Sequence, residues 1–180
     1  MYIVTGGAGF IGSAVVRKLN EKGIDNILIV DHLGTSDKWK NLCKSTFKDY
    51  LPKERFLELV LADKITIDVD AVIHIGACSS TTERDVDYLM HNNYYYTKTL
   101  CEWSATRGSR FIYASSAARY GDGSAGFSDD HNTVKDLRPL NAYGYSKQIF
   151  DQYALHTGLL NRVTGIKFFN VFGPNEYSKG

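Results

Sequence analysis

Short apolar runs and amphipathic stretches alternate along the chain. Residues 2–6, "YIVTG", form an apolar run stopped by glycine, the pattern of a buried strand. Residues 10–23 follow with helical spacing: Ile11, Val15 and Leu19 share one face, and Gly23 ends the pattern. "NILIVD" (26–31), "AVIHIGA" (71–77), "RFIYASS" (110–116) and "RVTGIKFFN" (162–170) are four further buried-strand patterns. Helical patterns lie between them, at about 53–62, 84–107 and 143–157. Residues 32–52 carry a weaker pattern, read as a loop with one short strand near Phe47. Buried strands alternating with helices predict an α/β chain with a doubly wound parallel sheet. No internal repeat interrupts it, and residues 1–180 read as one domain. The polar, glycine-rich stretch 121–133 reads as a loop over a site.

Composition narrows the function classes. A net charge of +1 gives no bulk attraction to nucleic acid or to an anionic membrane. No apolar run reaches the roughly 18 residues of a membrane span. The start "MYIVTGG" lacks the basic segment and apolar stretch of a secretory signal. Cys43, Cys78 and Cys101 are odd in number and widely spaced, so reduced thiols and a cytoplasmic location are expected. His91, His131 and His156 have no neighbours that suggest a metal, and none is expected.

"TGGAGFIG" places Gly6, Gly9 and Gly12 at three-residue intervals between a strand and a helix. A dinucleotide pyrophosphate needs this arrangement, because glycine lets the backbone approach and the helix start offers free N–H groups. Asp31 ends the next strand, 19 positions after Gly12, where an acid suits ribose hydroxyls. His32, Lys38 and Lys53 lie downstream and could meet a 2′-phosphate; spacing alone favours solvated surface charge for the lysines.

"NAYGYSK" (141–147) puts Tyr143 and Lys147 four apart, on one helix face, with Tyr145 turned away. A free phenol titrates near pH 10, too high for a base at neutral pH. A neighbouring ammonium would lower it. Ser115 and Ser116 sit at a strand's C-terminal end, where open α/β sheets bind ligands. A hydroxyl there can steady alkoxide-like charge.

Together, "TGGAGFIG", "YASSAARYG" and "YGYSK" resemble the extended short-chain dehydrogenase/reductase family of Rossmann fold, whose members are mostly nucleotide-sugar epimerases, dehydratases and reductases. "GACSSTTE" (76–83), "NNYYYTKTL" (92–100), "PLNAYGYSK" (139–147) and "FFNVFGPNE" (168–176) are similar to its ADP-heptose 6-epimerase branch, which serves lipopolysaccharide core precursor synthesis. The resemblance covers the whole chain. It implies that Phe10 and Ile11 line the cofactor turn, and that Asp31 and His32 flank the adenosine ribose. It makes Lys38 and Lys53 contacts of NADP, with NAD as the other option. Ile75, Gly76, Ala77, Cys78 and Ser79 would pass under the cofactor, and Asn92 and Val171 would touch it. Ser116, Tyr143 and Lys147 would be catalytic, Lys147 also binding cofactor. Ser116 and Asn170 would contact substrate, and Lys179 would be both a substrate contact and a second acid/base.

The implied reaction is inversion at C6″ through a transient 6″-ketone, with hydride taken up and returned by the same cofactor. Two faces then call for two proton-handling groups, Tyr143 and Lys179. Ala117 and Ala118 stand where dehydratases carry an acidic pair, which argues against dehydration. A 4-epimerase or reductase of another nucleotide sugar is the alternative, as is an NADP-binding module without turnover. The resembling enzymes continue beyond residue 180, with most of their substrate domain there. The 180-residue chain alone is therefore expected to bind NADP weakly and not to epimerise; the full-length form is expected to be a homo-oligomer.

Overall fold

The computed structural model describes residues 1–176. Six strands form one all-parallel sheet: β1 (Tyr2–Thr5), β2 (Ile27–Asp31), β3 (Asp49–Pro52), β4 (Ala71–His74), β5 (Arg110–Ser116) and β6 (Val163–Phe168), in the order β3-β2-β1-β4-β5-β6. The order reverses between β1 and β4, which is the switch point of a Rossmann sheet. Five helices connect the strands: α1 (Phe10–Glu21), α2 (Lys53–Leu61), α3 (Val86–Leu89), α4 (Tyr96–Thr106) and α5 (Ala142–His156).

Alternation along each strand divides the core into two layers. Ile3, Leu28, Val30, Val72, Phe111 and Tyr113 face Phe56 and Val60 of α2, Leu100 and Trp103 of α4, and Phe150 and Ala154 of α5. Val4, Ile27 and Ile29 face the opposite way, toward Val16 of α1 and Leu42. Each fully buried side chain of this size contributes roughly 2–3 kcal/mol over its exposed state.

The observed elements differ from the predicted ones in three places. The strand expected near Phe47 starts at Asp49, after a 3-10 turn over Asp37–Leu42. Alternation is too short there to fix the register. The run 71–77 leaves the sheet after His74, and residues 75–77 become cleft wall instead. The helix expected over 84–107 contains a π turn, Met90–Tyr95, between α3 and α4. Periodicity cannot show one inserted residue.

Candidate active site

The chain leaves β1 at Gly6 with φ of +67°, a conformation open chiefly to glycine. A Cβ there would lie 2.6 Å from Cα of Gly76, so the chains leaving β1 and β4 touch at the switch point. A Cβ on Gly12 would lie 2.0 Å from the Gly6 carbonyl oxygen, so α1 packs directly on the turn. Gly9 caps α1 without a side-chain hydrogen bond, and the first turn holds no acid. The positive end of its dipole meets no acidic side chain in that turn and so favours an anion.

Asp31 closes the turn's far side. Its carboxylate accepts the Ala8 N–H at 2.8 Å, the His32 N–H at 2.7 Å and the Lys38 ammonium at 2.7 Å. Lys38 is therefore tied into the cleft rather than solvated. Lys53 donates to Asn92 Oδ1 at 2.6 Å. His32 is exposed and lies 3.9 Å from Glu54. The Tyr96 hydroxyl is buried on the same cleft wall and has no hydrogen-bond partner among the described residues. An orphaned hydroxyl, a helix start without an acid and two lysines along one cleft of about 1040 Å³ fit a nicotinamide dinucleotide.

Under the turn, His74 joins β1 to the helical layer. The Gly76 N–H donates to Thr5 Oγ1 at 3.2 Å, leaving the Thr5 proton for His74 Nδ1 at 2.6 Å. Thr97 gives its proton to the Asn93 carbonyl at 2.6 Å, and so accepts from His74 Nε2 at 2.8 Å. This assignment satisfies every group with the Nε2–H tautomer. Burial, with the Lys147 charge second, pushes the imidazole down to about 3, so it stays neutral.

Ser116 ends β5, and its Oγ accepts the Ala118 N–H at 3.1 Å. Asn141 caps α5 by accepting the Gly144 N–H at 2.7 Å, which sets Tyr143 in the first turn. The Ser116 hydroxyl faces the Tyr143 phenol. Burial raises that phenol's pKa, and the Ser116 hydroxyl pulls it back only in part. Lys147 is 5% exposed and donates to the Ala114 carbonyl at 3.0 Å. Burial pulls its ammonium down to about 8. The expected lowering of the phenol by this ammonium is thus not met: desolvation dominates, and the amine is bonded to Ala114. Tyr145 is 48% exposed. One helical turn below Lys147, Asp151 accepts from Tyr113 at 2.6 Å and Ser115 at 3.1 Å and pairs with the buried Arg119. This fixes α5 against the strand that carries Ser116.

The cleft brings together Gly6, Gly9, Phe10, Ile11, Gly12, Asp31, His32, Lys38, Lys53, Ile75, Gly76, Ala77, Ser79, Asn92, Ser116, Tyr143, Lys147, Asn170 and Val171. Cys78 is not on its wall; the backbone of Cys78 is bonded instead by Asn93. Lys179 lies outside the described residues. Sequence reasoning missed Tyr96, Asn93 and Ser146; the paired asparagines 92–93 were the available signal. Among the described residues no His, Cys, Asp and Glu cluster could hold a metal, and no helix is long and apolar enough to cross a membrane.

Comparison with known proteins agrees with this geometry. An ADP-L-glycero-D-manno-heptose-6-epimerase of Nitratidesulfovibrio vulgaris (strain Hildenborough) is 60% identical over 180 residues, covering 100% of this chain and 56% of that protein. The solved ADP-L-glycero-D-manno-heptose-6-epimerase of Helicobacter pylori superposes with a TM-score of 0.79 at 29% identity, covering 98% of this chain and 57% of that one. A UDP-glucuronic acid 4-epimerase of Bacillus cereus, solved in complex with NAD, gives 0.78 at 26% identity, covering 97% of this chain and 58% of that one. The chain thus spans little more than half the length of these relatives. With residues 2–180 matching its description, the chain belongs to the NAD dependent epimerase/dehydratase family.

Proposed function

We propose that this protein is a nucleotide-sugar epimerase that inverts C6″ of ADP-D-glycero-D-manno-heptose to the L-glycero epimer, with NADP as its cofactor. One observation carries the reading: Ser116, Tyr143 and Lys147 converge at the end of β5 in the same cleft as the glycine cradle. The printed names of the relatives at 60% and 29% identity support the substrate. The positions of Lys38 and Lys53 support a 2′-phosphate.

The α1 N-terminus and the backbone of Gly6 to Gly12 would hold the pyrophosphate, and Lys147 the nicotinamide ribose. When bound, the nicotinamide supplies transient oxidation at C6″ and hydride return to the opposite face. The chain's own residues handle position and protons. Ser116 Oγ donates to the sugar oxygen and steadies its developing negative charge. Tyr143 exchanges the hydroxyl proton through its phenol oxygen. Lys147, one helical turn away, stays anchored on the Ala114 carbonyl and serves the cofactor rather than the phenol. Lys179 is the proposed proton donor and acceptor for the opposite face.

The test is product analysis on the protein at the full length of its relatives. ADP-D-glycero-D-manno-heptose is expected to be inverted and UDP-galactose left unchanged. Conversion of UDP-galactose alone overturns the substrate assignment.

A further inference from the structure

We infer that the Tyr96 phenol is a further donor, beside Lys38 and Lys53, for an adenosine 2′-phosphate, and so helps this chain tell NADP from NAD. The inference deepens the proposed function and rests on its NADP reading.

The acid at the end of β2 sets the problem. A free carboxylate there accepts ribose hydroxyls and repels a phosphate. Asp31 is 6% exposed and already engaged. One oxygen accepts the Ala8 N–H, and the other accepts the His32 N–H and the Lys38 ammonium. The fold thus uses three of its roughly four acceptor sites, and Lys38 offsets its charge. Glu54, the neighbouring acid, stands at the exposed rim, 3.9 Å from both Lys53 and His32. Lys38 spends one ammonium N–H on Asp31, and Lys53 spends one on Asn92, so both keep donors to give. This part of the wall is rich in unspent donors and short of free acceptors.

Tyr96 adds a neutral donor. It is 4% exposed and lines the same cleft. Its ring lies against His74, with centroids 5.5 Å apart, and Lys53 Nζ sits 5.8 Å from the ring centre. The hydroxyl is buried and has no hydrogen-bond partner among the described residues. Leaving such a group unpaired is costly, so it calls for a partner. Burial first, then the Glu54 and Asp31 charges, holds the phenol above its ordinary pKa. It therefore keeps its proton and offers it, on the side of the cleft that ends β2. A phosphate monoester answers both features. Its three terminal oxygens suffice for two ammonium groups and one phenol. A ribose 2′-hydroxyl has a proton to give and finds Asp31 occupied. Lys53 lies over the Tyr96 ring; as it turns from Asn92 to the anion, the hydroxyl is opened to the same phosphate.

The experiment uses the protein at the full length of its relatives. Its two probes lack a nicotinamide, so turnover plays no part: adenosine 2′,5′-bisphosphate and adenosine 5′-monophosphate. Tyr96→Phe keeps the ring on His74 and removes only the oxygen. By calorimetric titration it should weaken the bisphosphate about tenfold and change the monophosphate by less than about twofold. Without ligand, its melting temperature should stay or rise, since an unpaired buried hydroxyl is gone. Equal loss for both probes overturns the inference, because the phenol then serves packing or the nucleoside rather than the phosphate. If the wild type binds the two probes equally, the NADP reading fails and the Tyr96 assignment falls with it. If the wild type prefers the bisphosphate and Tyr96→Phe keeps that preference in full, the NADP reading stands and the Tyr96 assignment alone is overturned.

Discussion

Lys147 sits in the core with an ammonium that the fold disfavours, and replacing it should stabilise the protein. Burial lowers its pKa from 10.5 to about 8. That gap corresponds to about 3 kcal/mol of differential stability. Below pH 8 the lysine is charged in both folded and unfolded chains, and the fold bears the whole penalty. Between pH 8 and 10.5 the folded chain releases its proton while the unfolded chain keeps it. The unfolded state then binds more protons, so stability rises with pH through this window. Above 10.5 both are neutral and the penalty is gone. Lys147→Met removes the charge but leaves the Ala114 carbonyl without its 3.0 Å donor, a loss of about 1 kcal/mol. The variant should therefore be more stable than the wild type by about 2 kcal/mol at pH 7. The difference should shrink and reverse toward pH 10.5, while cofactor affinity and activity are lost. Urea unfolding of both proteins from pH 7 to 10 reads this directly, since other titrating groups cancel in the difference. A wild type at least as stable as the variant at pH 7, or a difference flat with pH, refutes the reasoning.

Three further outcomes follow from the same geometry. Gly12→Ala would place a methyl 2.0 Å from the Gly6 carbonyl; the displaced cradle should weaken NADPH about 10- to 100-fold by fluorescence titration, with the sheet intact by circular dichroism. Tyr143→Phe should lower epimerisation at least about 100-fold while NADPH affinity changes little, as read by steady-state kinetics and the same titration. Lys53→Ala should weaken NADPH about tenfold and leave NADH nearly unchanged, which a paired titration resolves.

The inner strands β1, β2, β4 and β5 were legible because they are runs of apolar residues bounded by glycine, serine or acid; the edge strands β3 and β6 lack that burial, and the pattern placed β3 only loosely. The 3-10 turn at Asp37–Leu42 and the π turn at Met90–Tyr95 were not, because each is decided by tertiary hydrogen bonds rather than by periodicity. At the site, spacing sufficed for Tyr143 with Lys147, since four residues make one helical turn. It did not suffice for Lys38, whose charge is held by Asp31 across a loop. Nor could it show that the Lys147 amine is bonded to Ala114, leaving the phenol raised by burial. Thr5, His74 and Thr97 read as ordinary strand and helix positions; only their packing reveals a neutral relay beneath the glycine turn. Asn93 was legible as one of a pair of asparagines but not as the group that bonds both Cys78 and Ser146.

The central claim is inversion at a sugar carbon by groups gathered at the end of β5. Its most direct test is nuclear magnetic resonance of ADP-D-glycero-D-manno-heptose incubated in deuterated water with the protein at the full length of its relatives. The account predicts the L-glycero epimer with hydrogen, not deuterium, retained at C6″, and no such product from Tyr143→Phe. Unchanged substrate, or an epimer carrying solvent deuterium at C6″, would contradict it.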